Sequence, residues 1–141
     1  DPSAEPGFDC VSEFWIPSVR RVAELLAGEV GETMRADERT FLDQPSNRAA
    51  VAEEVLRPSA GGGQILWLLH RDGGEREALI EACRSAGAGL DLLSPFDERP
   101  LPCDAIVNLT GATPTLPKGW RIAHRLEVER CETDPAMLQG F

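Results

Sequence analysis

The order of strand-like and helix-like segments at the start of the chain constrains its fold most. Residues 8–16 predict a strand in which Glu13 shares one face with Val11 and Trp15. A helical segment follows, interrupted by two glycines, and its second part, residues 32–42, is expected to bury Met34 and Phe41. Residues 47–56 then alternate as a second strand does. The chain therefore opens as strand, helix, strand.

A second unit opens in the same way after a linker rich in proline and glycine. Residues 64–70 are apolar on both faces, which is typical of a central, buried strand. Residues 75–86 predict a helix that ends at Gly87. Residues 105–109 and 121–130 predict further strands. In the last of these, Ile122, His124 and Leu126 are expected to share one face.

Composition and charge exclude several classes of partner. The chain has 141 residues, enough for one ordinary domain, and a formal net charge of −10. Nucleic acids and anionic membranes both require clustered Lys and Arg, so neither is an expected partner. No segment approaches the roughly 18 apolar residues of a membrane span, and no signal peptide opens the chain. The start at Asp1 predicts either processing or excision from a longer chain.

The cysteines and the short motifs argue against several kinds of chemistry. The four cysteines share no metal-ligand spacing, so they are expected to be isolated thiols in a reducing, cytoplasmic compartment. The chain lacks a G-x-S-x-G motif, and its run of three glycines precedes a strand, whereas a phosphate-binding loop lies between strand and helix. We therefore predict no metal site and no cofactor.

Several segments of the chain resemble a known family. Residues 8–15, the split helix, and residues 38–43 and 51–54 resemble the second half of an EthD-like domain. That family belongs to the dimeric α+β barrel superfamily, which is built on ferredoxin-like βαββαβ units. Residues 65–71, with the helix that follows them, resemble the opening of such a domain.

The resemblance implies an α+β fold of the dimeric α+β barrel type. Two ferredoxin-like half-units, β-α-β and then β-α-β, would form an antiparallel sheet covered by helices. Residues 1–58 would be the second half of one unit, residues 59–63 a linker, and residues 64–141 the first half of a further unit with an irregular insertion near 88–118. Half-units leave sheet edges and apolar faces uncovered, so a homodimer or a completing partner segment is expected.

The resemblance also implies a function. Related proteins hold a small molecule, often aromatic or polyketide-like, and some act as cyclases, decarboxylases, dehydratases or monooxygenases. We therefore expect a small-molecule-binding protein or a tailoring or degradation enzyme. The alternative is a non-catalytic protein that oligomerises or binds a partner. Family members often carry a histidine in the first helix of the unit, and residues 75–86 contain none.

Five residues are candidates for the site. His124 is the predicted acid or base, because it lies on the apolar face of its predicted strand, from which an imidazole can reach into a pocket, and Glu13 is its predicted carboxylate companion. Trp15, Trp120 and His70 are predicted to bind the ligand, the indoles by stacking. Each has a structural alternative: a core or interface histidine for His124, a strand-end residue for His70, a sheet-edge carboxylate for Glu13, and core packing for the tryptophans.

Overall fold

A computed structural model describes residues 9–58, 65–132, 134 and 136 of the chain. The described residues divide into two compact units. We call residues 52–93 and 103–136 the sheet unit, and residues 9–51 and 94–102 the helix-pair unit. The predicted linker at 59–63 lies outside the described residues.

The sheet has five strands, and the predicted α+β class with an antiparallel sheet is confirmed. Its spatial order is β1-β3-β4-β2-β5, and β2 pairs antiparallel with both of its neighbours. One helix, α3, connects β2 to β3, and β4 lies between these two strands. This arrangement is compatible with a ferredoxin-like fold. The elements are β1 (Ala50–Leu56), β2 (Ile65–Arg71), α3 (Arg76–Ala86), β3 (Gly89–Pro95), β4 (Ala105–Leu109) and β5 (Trp120–Glu127).

The core lies between α3 and one face of the sheet. Leu79 and Cys83 are the fully buried side chains of α3. They pack against apolar side chains that alternate along the strands, because successive residues of a strand point to opposite faces. β2 is buried over four consecutive residues, as the sequence predicted for a central strand. The strand side chains of this core are Trp67, Leu69, Leu90, Ala105, Val107, Leu109 and Trp120.

The connection from β4 to β5 takes the place that a second helix occupies in a complete ferredoxin-like unit. Residues 110–119 contain no helix, but Pro114 is buried and Leu116 packs against the core. Residues 88–118, where the resemblance implied an irregular insertion, contribute β3 and β4 to the centre of the sheet. The helix α3 and the loop of residues 110–119 therefore together cover one face of the sheet, which we call the α3 face.

A bulge changes which side chains of β5 share a face. His124 pairs with Leu68, whereas Ile122 pairs with Leu69, so Ala123 is an extra residue between them. Leu68 and Leu69 point to opposite faces of the sheet. The prediction that Ile122 and His124 share a face is therefore wrong. Ile122 packs against the α3 core, and His124 lies on the other face.

The helix-pair unit contains α1 (Val19–Leu26), α2 (Glu29–Glu38) and a short 3₁₀ helix (Gln44–Ser46). Ser18 caps α1, because its Oγ accepts a hydrogen bond from the N–H of Arg21 at 3.2 Å. Gly31 is buried where α2 meets the last turn of α1, and the Arg35 guanidinium donates to the Leu26 carbonyl at 2.9 Å. These contacts fix the corner between the helices.

Two predictions for the helix-pair unit are wrong. Residues 9–16 form no strand, because a strand needs a neighbouring strand to take its backbone hydrogen bonds, and within the described residues none lies beside them. Met34 and Phe41, which were expected to be buried, are 45% and 67% exposed. Met34 lies on α2, whereas Phe41 follows the end of that helix at Glu38, and both side chains are exposed.

Substituting Gly31 with alanine is expected to disrupt the corner between α1 and α2. A Cβ at residue 31 would overlap the Leu26 backbone, lying 2.5 Å from its carbonyl carbon. Overpacking of this kind costs about 1–3 kcal/mol, and a backbone atom cannot rotate away as a side chain can. Circular dichroism and hydrogen exchange of residues 19–38 should show loss of helix.

The control for this prediction is Gly28→Ala, at the N-cap of α2. A Cβ at residue 28 would meet only carbonyl oxygens at 3.7 and 3.9 Å, which is ordinary contact. Its cost is limited to the capping preference of glycine over alanine, about 1 kcal/mol or less. Equal helix content in the two variants would contradict the close-approach argument.

Candidate functional site

Both histidines lie on the sheet face turned away from α3. His124 is the cross-strand partner of Leu68, and His70 is the partner of Arg121. Cross-strand partners point to the same side of a sheet, and side chains two apart on one strand share that side. Since Leu69 points into the α3 core, His70 and Leu68 point the other way. We call this side the histidine face.

His70 is paired with a carboxylate at the end of β2. Its Nδ1 lies 3.6 Å from Oδ2 of Asp104, and the same oxygen accepts a hydrogen bond from the backbone N–H of Arg71 at 2.7 Å. The backbone contact fixes the carboxylate beside the imidazole. The two side chains are 34% and 44% exposed, so solvent weakens the interaction to about 1 kcal/mol or less.

Asp104 was not among the sequence candidates, although a signal for it exists. His70 follows Leu69, and Asp104 precedes Ala105, which pairs with Leu69 across the antiparallel strands. Recognising that β2 and β4 are neighbours would therefore have placed the carboxylate beside His70.

His124 and Glu13, the predicted catalytic pair, belong to different units. His124 lies in the middle of β5 and is half-buried. On the same face, the next set of cross-strand partners consists of Leu126, Leu66 and the buried Asn108. Glu13 is exposed in a segment of the helix-pair unit without helix or strand. Their pairing stays a prediction.

The two candidate tryptophans have opposite surroundings. Trp15 is 73% exposed. Trp120 is 7% exposed in the core, where its indole N–H donates to the Glu75 carbonyl at 3.1 Å and the Arg71 guanidinium lies 5.6 Å from the ring centre. Trp120 therefore holds the start of β5 against the start of α3. Ligand stacking by either indole stays a prediction.

Two of the four thiols are buried, and burial suppresses their ionisation. Loss of water raises the pKa of Cys83 to about 11, and burial together with the nearby charge of Asp104 raises the pKa of Cys103 to about 12. The thiolate is the nucleophilic form of cysteine, so neither residue is a nucleophile near neutral pH. Cys10 and Cys131 are exposed.

Two open depressions lie at opposite ends of the sheet unit. One, of about 690 Å³, is bordered by Ile65, Leu109, Thr110 and Glu127; the other, of about 610 Å³, is bordered by Asp72, Glu75 and Lys118. None of the five predicted site residues lines either of them. Within the part of the chain that the structure describes, no three His, Cys, Asp or Glu side chains converge on a point where a metal ion could bind.

The exposed apolar side chains are concentrated in one part of the sequence. Among the described residues, every large apolar side chain that is classed as exposed lies between residues 11 and 42, in the helix-pair unit. Three are aromatic, and four lie on α1 and α2. We call this set the apolar segment: Val11, Phe14, Trp15, Ile16, Val19, Leu25, Val30, Met34, Phe41 and Leu42.

Comparison of the chain with protein-family models, with curated proteins and with solved structures finds no match. The EthD-like resemblance and the dimeric barrel type therefore stay predictions. None of the helices in the described ranges is long and apolar enough to span a membrane. The cytoplasmic location also stays a prediction.

Proposed function

We propose that this protein is an assembly protein that associates with itself through the apolar segment. The single observation that carries the proposal is the concentration of exposed large apolar side chains in residues 11–42. Soluble monomers rarely expose contiguous apolar patches beyond a few hundred Å², and larger ones mark interaction surfaces. The proposal corresponds to the non-catalytic alternative considered from the sequence.

The three exposed aromatic side chains supply roughly half of the area that a standard interface requires on each partner. Phe14, Trp15 and Phe41 are 81%, 73% and 67% exposed. An aromatic side chain can bury about 150–250 Å², so these three alone present roughly 330–550 Å² to solvent. A standard interface buries about 800 Å² on each partner. The seven aliphatic members of the apolar segment supply area toward that value.

The sheet unit supports chemistry less directly than the apolar segment supports association. His70 and Asp104 form a histidine–carboxylate pair, and they are partly exposed at the end of a strand. Neither depression of the sheet unit is bordered by a histidine. Binding of an aromatic or polyketide-like molecule, with or without catalysis, therefore stays a prediction from the resemblance.

Removing the exposed aromatic rings is expected to weaken self-association. The variants Phe14→Ser and Trp15→Ser should each raise the dissociation constant by about 30-fold or more, because aromatic anchors at an interface contribute about 2 kcal/mol or more. Both side chains are exposed, so the folded chain should keep its thermal stability. Sedimentation equilibrium over a range of concentrations measures the constant.

The control for this experiment is Lys118→Ala, an exposed substitution in the sheet unit. It should leave the dissociation constant unchanged. A wild-type chain that stays monomeric at every concentration would contradict the proposal. So would a Phe14→Ser, Trp15→Ser double variant that associates as tightly as the wild type.

A further inference from the structure

We infer that residues 10–16 of one copy add as a further strand to the β5 edge of a second copy. The inference rests on the proposed self-association, and it specifies both the partner and the mode of contact. Strand addition is a common way for an extended segment to bind a sheet, because main-chain hydrogen bonds supply affinity and side chains on alternate positions supply specificity.

The first observation is a strand-forming segment that lacks a neighbouring strand. Residues 10–16 contain two β-branched and two aromatic side chains, the types that favour strands. Within the described residues the segment joins no sheet, and Phe14 and Trp15 are among its most exposed side chains. Pairing would give its backbone ladder hydrogen bonds and place the two rings on opposite faces of the enlarged sheet.

The second observation is that the sheet has two open edges. In the described sheet, β1 and β5 each have one neighbouring strand, β3 and β2 respectively. β5 is eight residues long, and such an edge presents unpaired N–H and C=O groups on its outer side. A seven-residue segment therefore finds an edge of matching length.

Charge selects β5 over β1. Residues 9–16 carry two acidic side chains, Asp9 and Glu13, and no basic one. On β5, Arg125 pairs with Glu127 at 3.3 Å, so Arg121 is the arginine that can meet the acidic segment. The charged residues of β1 are two adjacent glutamates, which pair with Arg76 and Arg57, so that edge offers no basic side chain of its own. Exposed ion pairs contribute about 1 kcal/mol or less. Charge therefore determines which edge is preferred, while main-chain hydrogen bonds and contacts of the aromatic rings provide most of the affinity.

The occupant is a second copy because one chain carries both complementary parts. Each copy offers an acidic strand-forming segment and a basic sheet edge. If each segment pairs with the other copy's β5, the exchange is reciprocal and closes as a dimer, whereas one-way addition would continue into longer assemblies. The stoichiometry of the complex therefore distinguishes the two arrangements.

Proline scanning tests the strand. Only alternate N–H groups of an added strand face the edge, so at least one of Val11→Pro and Ser12→Pro must lose a ladder hydrogen bond. We expect that variant to raise the dissociation constant at least tenfold, while Val11→Ala and Ser12→Ala, which keep the N–H, serve as matched controls. Residues 11 and 12 are exposed, so thermal stability should not change.

A charge exchange tests the edge. In one chain Glu13 is changed to Arg; in the other, Arg121 is changed to Glu, because the bulge turns Arg125 to the opposite face and Arg125 already pairs with Glu127. Each variant alone should associate about tenfold more weakly, because like charges would meet. An equimolar mixture should form a heterodimer by native mass spectrometry, since both of its interfaces would then join opposite charges.

The outcomes separate this inference from the proposed function. If the proline and alanine variants associate equally well, or if the mixed charge variants do not prefer each other, strand addition is overturned. Self-association through the apolar segment would stand in that case, provided that Phe14→Ser and Trp15→Ser still weaken it. A monomeric wild-type chain would overturn both.

Discussion

Raising the pH from 9 to 11 is expected to lower the free energy of unfolding by about 1 kcal/mol per pH unit for each of two thiols, Cys83 and Cys103. Burial raises the pKa of Cys83 from 9.0 to about 11 and that of Cys103 to about 12. In this range the unfolded chain has released the two protons that the folded chain retains. The stabilisation is therefore complete below pH 9 and is lost as the pH rises toward 11 for Cys83 and 12 for Cys103.

The composition of the chain makes this experiment unusually direct. It contains no tyrosine and a single lysine, Lys118, so few other side chains titrate between pH 9 and 12. Urea denaturation followed by tryptophan fluorescence, with a reducing agent present, gives the free energy of unfolding at each pH. Cys83→Ala should halve the slope between pH 9 and 11.

Matched controls come from the exposed thiols. Cys10→Ser and Cys131→Ser should leave the slope unchanged, because both side chains are exposed in the folded chain. A free energy of unfolding that stays constant from pH 8 to 11 would show that Cys83 and Cys103 are open to water in the folded protein.

Gly119→Ala is expected to lower the free energy of unfolding by about 3 kcal/mol or more, a large part of a typical total of 5–15 kcal/mol. Gly119 has a φ of +83°, and its carbonyl accepts hydrogen bonds from the N–H groups of Asp72 and Gly74 at 2.7 and 3.1 Å. A Cβ there would lie 2.5 Å from the Gly74 Cα and 2.9 Å from the Asp72 carbonyl oxygen. Backbone strain and overlap each cost about 1–3 kcal/mol.

Two further glycines separate these contributions. Gly73 has a φ of +73° but open space around its Cα, so Gly73→Ala should cost about 1 kcal/mol from strain alone. Gly111 has neither a positive φ nor a neighbour within 4 Å, so Gly111→Ala should be within about 0.5 kcal/mol of the wild type. Chemical denaturation of the three variants measures the series. A Gly119→Ala variant no less stable than Gly73→Ala would show that the turn at residues 72–74 does not contact Gly119.

Much of the sheet unit could be predicted because its signals are local. The apolar run at 64–70 corresponds to β2, the helix predicted at 75–86 corresponds to α3, and residues 105–109 form a strand with the predicted bounds. Each depends on periodicity or on a helix end, which a single segment carries in its own residues. The confirmed α+β class follows from these elements.

The errors arose where structure depends on a distant partner. Residues 9–16 have strand-forming side chains, but side chains alone do not provide a neighbouring strand. Met34 and Phe41 were predicted to be buried by one long helix, but α2 ends at Glu38, and periodicity does not say which element covers a side chain. Asp104 was missed for the same reason, since its place beside His70 depends on the pairing of β2 with β4.

The bulge at Ala123 also determines where β5 can tolerate a change of length. Deleting one residue elsewhere in this strand would turn every side chain beyond the deletion to the opposite face of the sheet. A core residue would then exchange places with a charged one. Losing the codon for Ala123 would leave Ile122 toward α3 and His124 on the histidine face, because the extra residue alone would be removed. Among related genes, insertions and deletions within β5 should therefore be found at this position.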